Sequence, residues 1–145
     1  MKKNDNARPT VFLDSNVLMQ YLRGSSPESR LLSERMLKRF RFAVNPVVLS
    51  ELLLAGNARK HADRFQRIQD SVNILPINEA ELEQISDKIR TLRYTGMHSN
   101  DFLIYSSAVG CDYLVTKDKE FKNLSNGKKP VVLTTEEFLQ RVEHS

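Results

Sequence analysis

The chain has almost no cysteine: Cys111 is the only one among 145 residues. An intrachain disulfide is therefore excluded, and we expect this side chain to pack as a small apolar group in a protein of a reducing compartment. The sequence also has only five glycines and five prolines, and it contains no repeat, no low-complexity segment and no internal linker. A single compact domain is therefore expected.

Long apolar runs are missing as well. The longest, residues 47–55, is interrupted by Ser50 and Glu51 and is far shorter than the roughly 20 residues that a membrane helix needs. The first residues are polar and charged and do not form the apolar core of a signal peptide. We therefore expect a polar tail at residues 1–10, one domain at residues 11–142, no membrane partner and a cytoplasmic location.

Short apolar segments alternate with helical patterns along the rest of the chain. The predicted strands are residues 11–13, 42–44, 72–75, 113–116 and 131–133. The predicted helix starts are Ser15 or Asn16, Pro27, Asn45 with Pro46, Ala58, Asn78, Ser99, and Thr134 with Glu137. This alternation is typical of an α/β fold, a three-layer sandwich in which helices flank a short, mostly parallel sheet.

Four acidic residues occupy positions that this pattern would bury: Asp14, Glu51, Asp101 and Asp118. Asp14 and Asp118 follow predicted strands, whereas Glu51 and Asp101 lie among apolar residues near helix starts. Taken singly, each has an ordinary explanation. The two aspartates after strands could be turn or cap residues. Asp101 could be stabilised by the helix dipole in the first turn of its helix, and Glu51 could pair with a buried lysine or arginine.

Taken together, the four acids can all face one crevice at the carboxyl ends of the strands, where α/β folds bind ligands. Carboxylates gathered there repel each other unless a cation or protons neutralise them. Oxygen ligands without a histidine or cysteine cluster select Mg²⁺ or Mn²⁺. The Asn16 amide could orient Asp14, and the Thr116 hydroxyl could hold a water at the metal, although both could equally be cap or turn groups.

The segments that carry these acids resemble the motifs of a known family. VFLDSNVL at residues 11–18, SEL at 50–52, NDFLIYSSA at 100–108 and LVTKDKEF at 114–121 are similar, in order and spacing, to the four acidic motifs of PIN-domain nucleases, VapC-like toxin ribonucleases. Ser15 departs from the commoner threonine but keeps a hydroxyl. The similarity extends over residues 11–139.

The resemblance implies a PIN-like fold and a Mg²⁺- or Mn²⁺-dependent endoribonuclease that cleaves single-stranded or structured RNA. It further implies the toxin of a type II toxin–antitoxin pair, a homodimer with an antitoxin partner. By similarity, Asp14, Glu51, Asp101 and Asp118 are the catalytic acids. Of these, Asp14, Asp101 and Asp118 would be the metal ligands, supported by Asn16 and Thr116.

The chain carries a net charge of +4, which suits a polyanionic substrate but is common in proteins that bind none. Three basic clusters could contact RNA or could be solvated surface: Lys38, Arg39 and Arg41; Arg59, Lys60, Arg64 and Arg67; and Lys117, Lys119 and Lys122. Two other functions remain open. One is a non-catalytic or orphan PIN-fold RNA-binding module in RNA processing. The other is a phosphoacceptor domain, which the absence of an acidic pair after the first strand disfavours.

Overall fold

The structure is a computed structural model that describes residues 8–92 and 97–143. Residues 1–7 of the expected polar tail lie outside the described residues. None of the helices in the described ranges is both long enough and apolar enough to cross a membrane.

A five-stranded parallel sheet forms the centre of the fold. The strands are β1 (Thr10–Leu13), β2 (Arg41–Val44), β3 (Asn73–Ile74), β4 (Tyr113–Val115) and β5 (Val131–Leu133). They lie in the order β3-β2-β1-β4-β5, and every neighbouring pair is parallel. The sheet confirms the predicted α/β class, and β1 occupies its middle.

Helices connect these strands and flank the sheet. They are α1 (Ser15–Arg23), α2 (Glu34–Arg39), α3 (Pro46–Leu54), α4 (Asn57–Lys60), α5 (Ala62–Ser71), α6 (Glu79–Leu92), α7 (Ser99–Ala108), α8 (Phe121–Ser125) and α9 (Thr135–Glu143), with a 3₁₀ turn at Glu28–Arg30. The start of α3 follows the sequence prediction, because Asn45 Oδ1 accepts a hydrogen bond from Val48 N. Thr134 and Glu137 likewise form the predicted reciprocal cap of α9.

Two predicted helices differ in the structure. The helix expected to begin at Pro27 is divided into the 3₁₀ turn and α2, because Ser33 Oγ accepts from Met36 N at 3.3 Å and starts a new helix. The helix expected over residues 58–69 is divided at His61, whose backbone leaves the helical region. Helix α8 was absent from the prediction because five residues are too few to show a period.

The core lies around the sheet and is rich in phenylalanine. Phe12, Phe42, Phe121 and Phe138 are fully buried, and Phe138 packs edge-on against Phe42. Cys111 is also buried, as expected, and burial raises the pKa of its thiol to about 11. The thiol is therefore protonated and unreactive at neutral pH.

Two arginines of the second basic cluster serve the fold. Arg64 Nη1 donates to Leu22 O at 3.1 Å, and Arg67 donates twice to Leu32 O. Gly24 ends α1 at φ +74°, and a Cβ there would lie 2.8 Å from the Arg64 guanidinium. These contacts hold α5 against the end of α1, so part of this cluster is already engaged with backbone carbonyls.

Candidate active site

The site forms where β1 and β4 end side by side. Leu13 pairs with Val115, the chain order reverses between these two strands, and Asp14 N donates to Val115 O at 3.1 Å. This is the switch point of a parallel sheet, where the carboxyl ends of strands open a crevice. Asp14 and Thr116 therefore lie next to each other although 102 residues separate them.

Asp14 is buried and held by two hydrogen bonds. Its residue is 3% exposed. Its Oδ1 accepts from Ser15 N at 2.8 Å, and its Oδ2 accepts from the Thr116 hydroxyl at 2.7 Å. Asp14 is thus the N-cap of α1, and the expectation that Ser15 or Asn16 caps this helix is wrong. The reason is that the chain leaves β1 extended at Asp14, so its own carboxylate reaches the first helical N–H.

Thr116 connects Asp14 to the turn that carries Asp118. Its hydroxyl donates to Asp14 and accepts from Asp118 N at 3.0 Å, while Asp118 Oδ1 accepts from Glu120 N at 3.0 Å. The single hydroxyl proton of Thr116 is therefore donated to Asp14. Since Thr116 is itself buried, this arrangement fixes the orientation of the Asp14 carboxylate.

Glu51 faces the same crevice from α3. The Ser15 hydroxyl donates to Glu51 Oε1 at 2.8 Å. A buried lysine or arginine partner had been the alternative explanation for this glutamate. Among residues 8–92 and 97–143, however, none of the four acids forms an ion pair. The negative charge of Glu51 is therefore supported by a hydroxyl and left without a cation.

Asp101 lies in the first turn of α7. Its Oδ2 accepts from His98 N at 2.8 Å, and His98, rather than the predicted Ser99, is the N-cap. The cap forms because the Asp101 carboxylate reaches back to the His98 backbone N–H, although histidine is not a preferred N-cap residue. Buried Asn45 joins α7 to α3, since its Nδ2 donates to Leu103 O and to the Ser107 hydroxyl. The helices that carry Glu51 and Asp101 are therefore fixed to each other.

The electrostatics show which acids lie together. The pKa of Asp14 is raised to about 6, first by burial and then by the negative charges of Asp101 and Glu51, while the hydrogen bonds from Thr116 and Ser15 act in the opposite direction. The carboxylates of Glu51 and Asp101 thus lie close enough to Asp14 to interact with it electrostatically. Asp118 joins the group through the Thr116 hydroxyl, and Asn16 Oδ1 accepts from Lys117 N in the same turn.

This donor set is chemically suited to a hard divalent cation. All the acids offer oxygen, none forms an ion pair with a cation among the described residues, and the burial of Asp14 is energetically costly. Within the described part of the chain, no three acidic, histidine or cysteine side chains already form a metal cluster. Asp14 is therefore the fixed member of the group, and an ion bound to it would attract the neighbouring carboxylates.

Two residues near these acids were not singled out as site residues by the sequence analysis. The Ser15 hydroxyl donates to Glu51, and its sequence signals are its place directly after Asp14 and the hydroxyl that it keeps where threonine is commoner in the family's first motif. Glu120 lies beside Asp118, and its Oε2 is buried without a hydrogen-bond partner among the described residues. The sequence signal for Glu120 is that it is a second acidic residue, two positions after Asp118. Such an oxygen is open to a ligand that brings a positive charge or a proton.

We expect Asp14 to make the metal-free protein less stable as the pH rises. Its pKa is about 6 in the folded protein and 3.8 ordinarily, so the folded state holds the proton more tightly. The contribution is present below pH 4 and is lost as the pH rises through 6, a change of about 3 kcal/mol. Chemical denaturation in EDTA should show Asp14→Asn gaining this much stability relative to wild type between pH 4 and pH 7. A constant difference across that range would contradict the assignment.

A protein-family model described as PIN domain matches residues 11–127. Solved structures are similar over most of the chain. VapBC2 from Rickettsia felis, solved with a DNA fragment from its promoter, is 18% identical with a TM-score of 0.66, and the match covers 86% of this chain and 96% of that one.

VapBC-1 from nontypeable Haemophilus influenzae is 19% identical with a TM-score of 0.64, with coverage of 86% of this chain and 96% of that one. PAE2754 from Pyrobaculum aerophilum is 15% identical with a TM-score of 0.58 and covers 99% of this chain and 95% of that one. No curated protein gives a significant sequence match. At these identities, the structural matches establish the fold.

Proposed function

The chain belongs to the PIN domain family, and on this premise we propose that it is a metal-dependent endoribonuclease that cleaves single-stranded or structured RNA. The observation that carries the proposal is Asp14. It is a carboxylate buried at the switch point, in the field of Asp101 and Glu51, with no cationic partner among the described residues. Such a group destabilises the protein unless a ligand neutralises it.

Asp14, Asp101 and Asp118 would hold a Mg²⁺ or Mn²⁺ ion. When bound, this ion supplies Lewis acidity at a phosphodiester and lowers the pKa of an attacking water. Thr116 keeps the Asp14 carboxylate in one orientation. Ser15 fixes Glu51 through Oε1, which leaves Oε2 to orient the water and accept its proton.

Exposed lysines flank the acidic group. Lys117 and Lys119 lie on either side of Asp118 on the turn after β4. We expect them to contact phosphates of the bound RNA, and such contacts position a nucleic acid without reading its sequence. Binding should therefore weaken as salt concentration rises.

The direct test is cleavage of labelled single-stranded RNA by the purified protein. We expect cleavage with Mg²⁺ or Mn²⁺ and none in EDTA, with activity restored when the metal is added back. Cleavage that persists in EDTA would contradict metal dependence. An Asp101→Asn preparation that cleaves as well as wild type would point to a contaminating nuclease and leave the proposal unsupported.

The proposed biological role is that of a toxin in a type II toxin–antitoxin pair. The fold neighbours include VapBC2 and VapBC-1, and a toxin directed at cellular RNA would act in the cytoplasm. The proposed partner is an antitoxin that covers the acidic crevice and keeps the nuclease inactive. A neighbouring reading frame whose product inhibits RNA cleavage by this chain would support the role.

We also propose a homodimer, supported by an apolar surface at the end of α3. Leu53 is 57% exposed and Leu54 is 87% exposed, and two large apolar side chains side by side at a helix end are typical of an association surface. Leu54→Glu should convert a dimer into a monomer in light scattering, with Glu79→Gln as the control. A Leu54→Glu protein that stays dimeric would exclude this surface.

A further inference from the structure

A second polar groove lies beside the acidic crevice. It has a volume of about 370 Å³ and is lined by side chains from four regions: α1, the 3₁₀ turn, the turn after β4, and the start of α9. The lining includes Gln20, Glu28, Lys117 and Thr135. The volume is far larger than an ion needs and is large enough for a small organic group, which the amide, hydroxyl and charged groups could orient through hydrogen bonds.

Two largely buried residues of this groove have side chains without partners among the described residues. Glu28 is 6% exposed as a residue and its carboxylate forms no hydrogen bond or ion pair there, but its oxygens are not among the fully buried atoms and are open to solvent. Thr135 is 3% exposed, and its buried hydroxyl has no hydrogen-bond partner in the same part of the chain. Buried polar groups are normally paired, so the Thr135 hydroxyl is costly unless a ligand or water completes it, while the Glu28 carboxylate is an accessible acceptor. A carboxylate in this position calls for a ligand that donates N–H groups.

The groove is connected to the acidic crevice through α1 and the turn after β4. Asn16 Oδ1 accepts from Lys117 N, and Gln20 follows Asn16 by one helical turn on the same face of α1, which is about 5–6 Å. Lys117 lines the groove and directly precedes Asp118. An RNA strand whose phosphate lies at the acids can therefore place a neighbouring base in this groove.

We propose that the groove is a base-recognition subsite that selects guanine next to the cleaved bond; the inference rests on the proposed ribonuclease function. Among the RNA bases, only guanine carries two N–H donors on neighbouring atoms of its pairing edge, N1–H and the N2 amino group. A carboxylate such as Glu28 accepts both. The adjacent guanine O6 is an acceptor, which the Gln20 amide can satisfy, while Lys117 contacts the phosphate.

Affinity for short RNAs tests the subsite without cleavage. Wild-type protein in EDTA is titrated by fluorescence anisotropy into labelled oligouridine that carries one central guanosine, inosine or uridine. We expect the guanosine RNA to bind about tenfold more tightly than the other two. Inosine lacks only the N2 amino group, so it isolates one of the two contacts with Glu28. Glu28→Gln should remove the preference, and Glu79→Gln, an exposed acid outside the groove, should retain it.

Equal affinity for guanosine and uridine RNAs would overturn the subsite, as would a preference that survives in Glu28→Gln. If Glu28→Gln does not fold, Gln20→Ala replaces a half-exposed side chain and should reduce the preference severalfold, and a full preference in that variant would overturn the subsite. No binding of any of these RNAs by the folded wild type would also overturn the subsite, whereas absence of RNA cleavage by wild type with Mn²⁺ would contradict the ribonuclease function. The two failures are therefore distinguishable.

Discussion

Asp14→Asn should lower RNA cleavage by at least about 10³-fold, or roughly 4 kcal/mol of transition-state stabilisation. The reason is that Asp14 is the one acid of the group that is both buried and fixed through both carboxylate oxygens. An amide keeps the shape but removes the charge that attracts the cation. The measurement is kcat/KM on a labelled RNA at saturating Mn²⁺.

The control for this substitution is Asp70→Asn. Asp70 is an exposed acid on α5 that accepts a hydrogen bond from Gln66, and its loss should leave kcat/KM unchanged. Both proteins should keep the circular dichroism spectrum of wild type. An Asp14→Asn protein that retains even a tenth of the activity would show that this carboxylate does not hold the ion.

Thr116→Val should cost about 1–3 kcal/mol of stability and 10–100-fold in activity. Valine has nearly the same shape but leaves Asp14 Oδ2 without its donor and Asp118 N without its acceptor. Because the hydroxyl lowers the pKa of Asp14, its removal should also shift the acidic limb of the pH–rate profile to higher pH.

Thr116→Ser is the matched control, since it restores the hydroxyl and should return both the activity and the pH–rate profile to near the wild-type values. A purely structural role for Thr116 predicts lower stability in the valine variant with an unchanged pH–rate profile. That result would remove Thr116 from the site. Comparing the two variants therefore separates positioning of the carboxylate from packing.

The sequence was sufficient to predict the parallel sheet and to suggest a candidate site at the ends of its strands. Strands joined by helical connections usually pair in parallel, so residues that follow them gather at one edge of the sheet. Asp14 and Asp118 could therefore be expected in one crevice, whereas the hydrogen bond from Thr116 to Asp14 was not expected. The start of α3 was equally predictable, because Asn45 and Pro46 are preferred in those positions.

Contacts between elements could not be predicted in this way. The hydrogen bond from Ser15 to Glu51 depends on how α1 and α3 pack. The hydrogen bond from Arg64 to the Leu22 carbonyl depends on where α5 meets the end of α1. Glu28 lies in a segment whose pattern suggested an ordinary helix, so its burial beside α9 had no local signal. Local sequence fixes which groups reach a strand end, whereas packing determines their partners.

Binding of Mn²⁺, followed by the loss of the electron paramagnetic resonance signal of the free ion, tests the metal centre most directly. The wild-type chain should bind Mn²⁺ at neutral pH, and Mg²⁺ should compete for the same sites. Asp14→Asn should bind far more weakly, whereas Asp70→Asn should bind as wild type does. Equal Mn²⁺ binding by wild type and Asp14→Asn would contradict the view that this buried carboxylate organises a cation-dependent nuclease site.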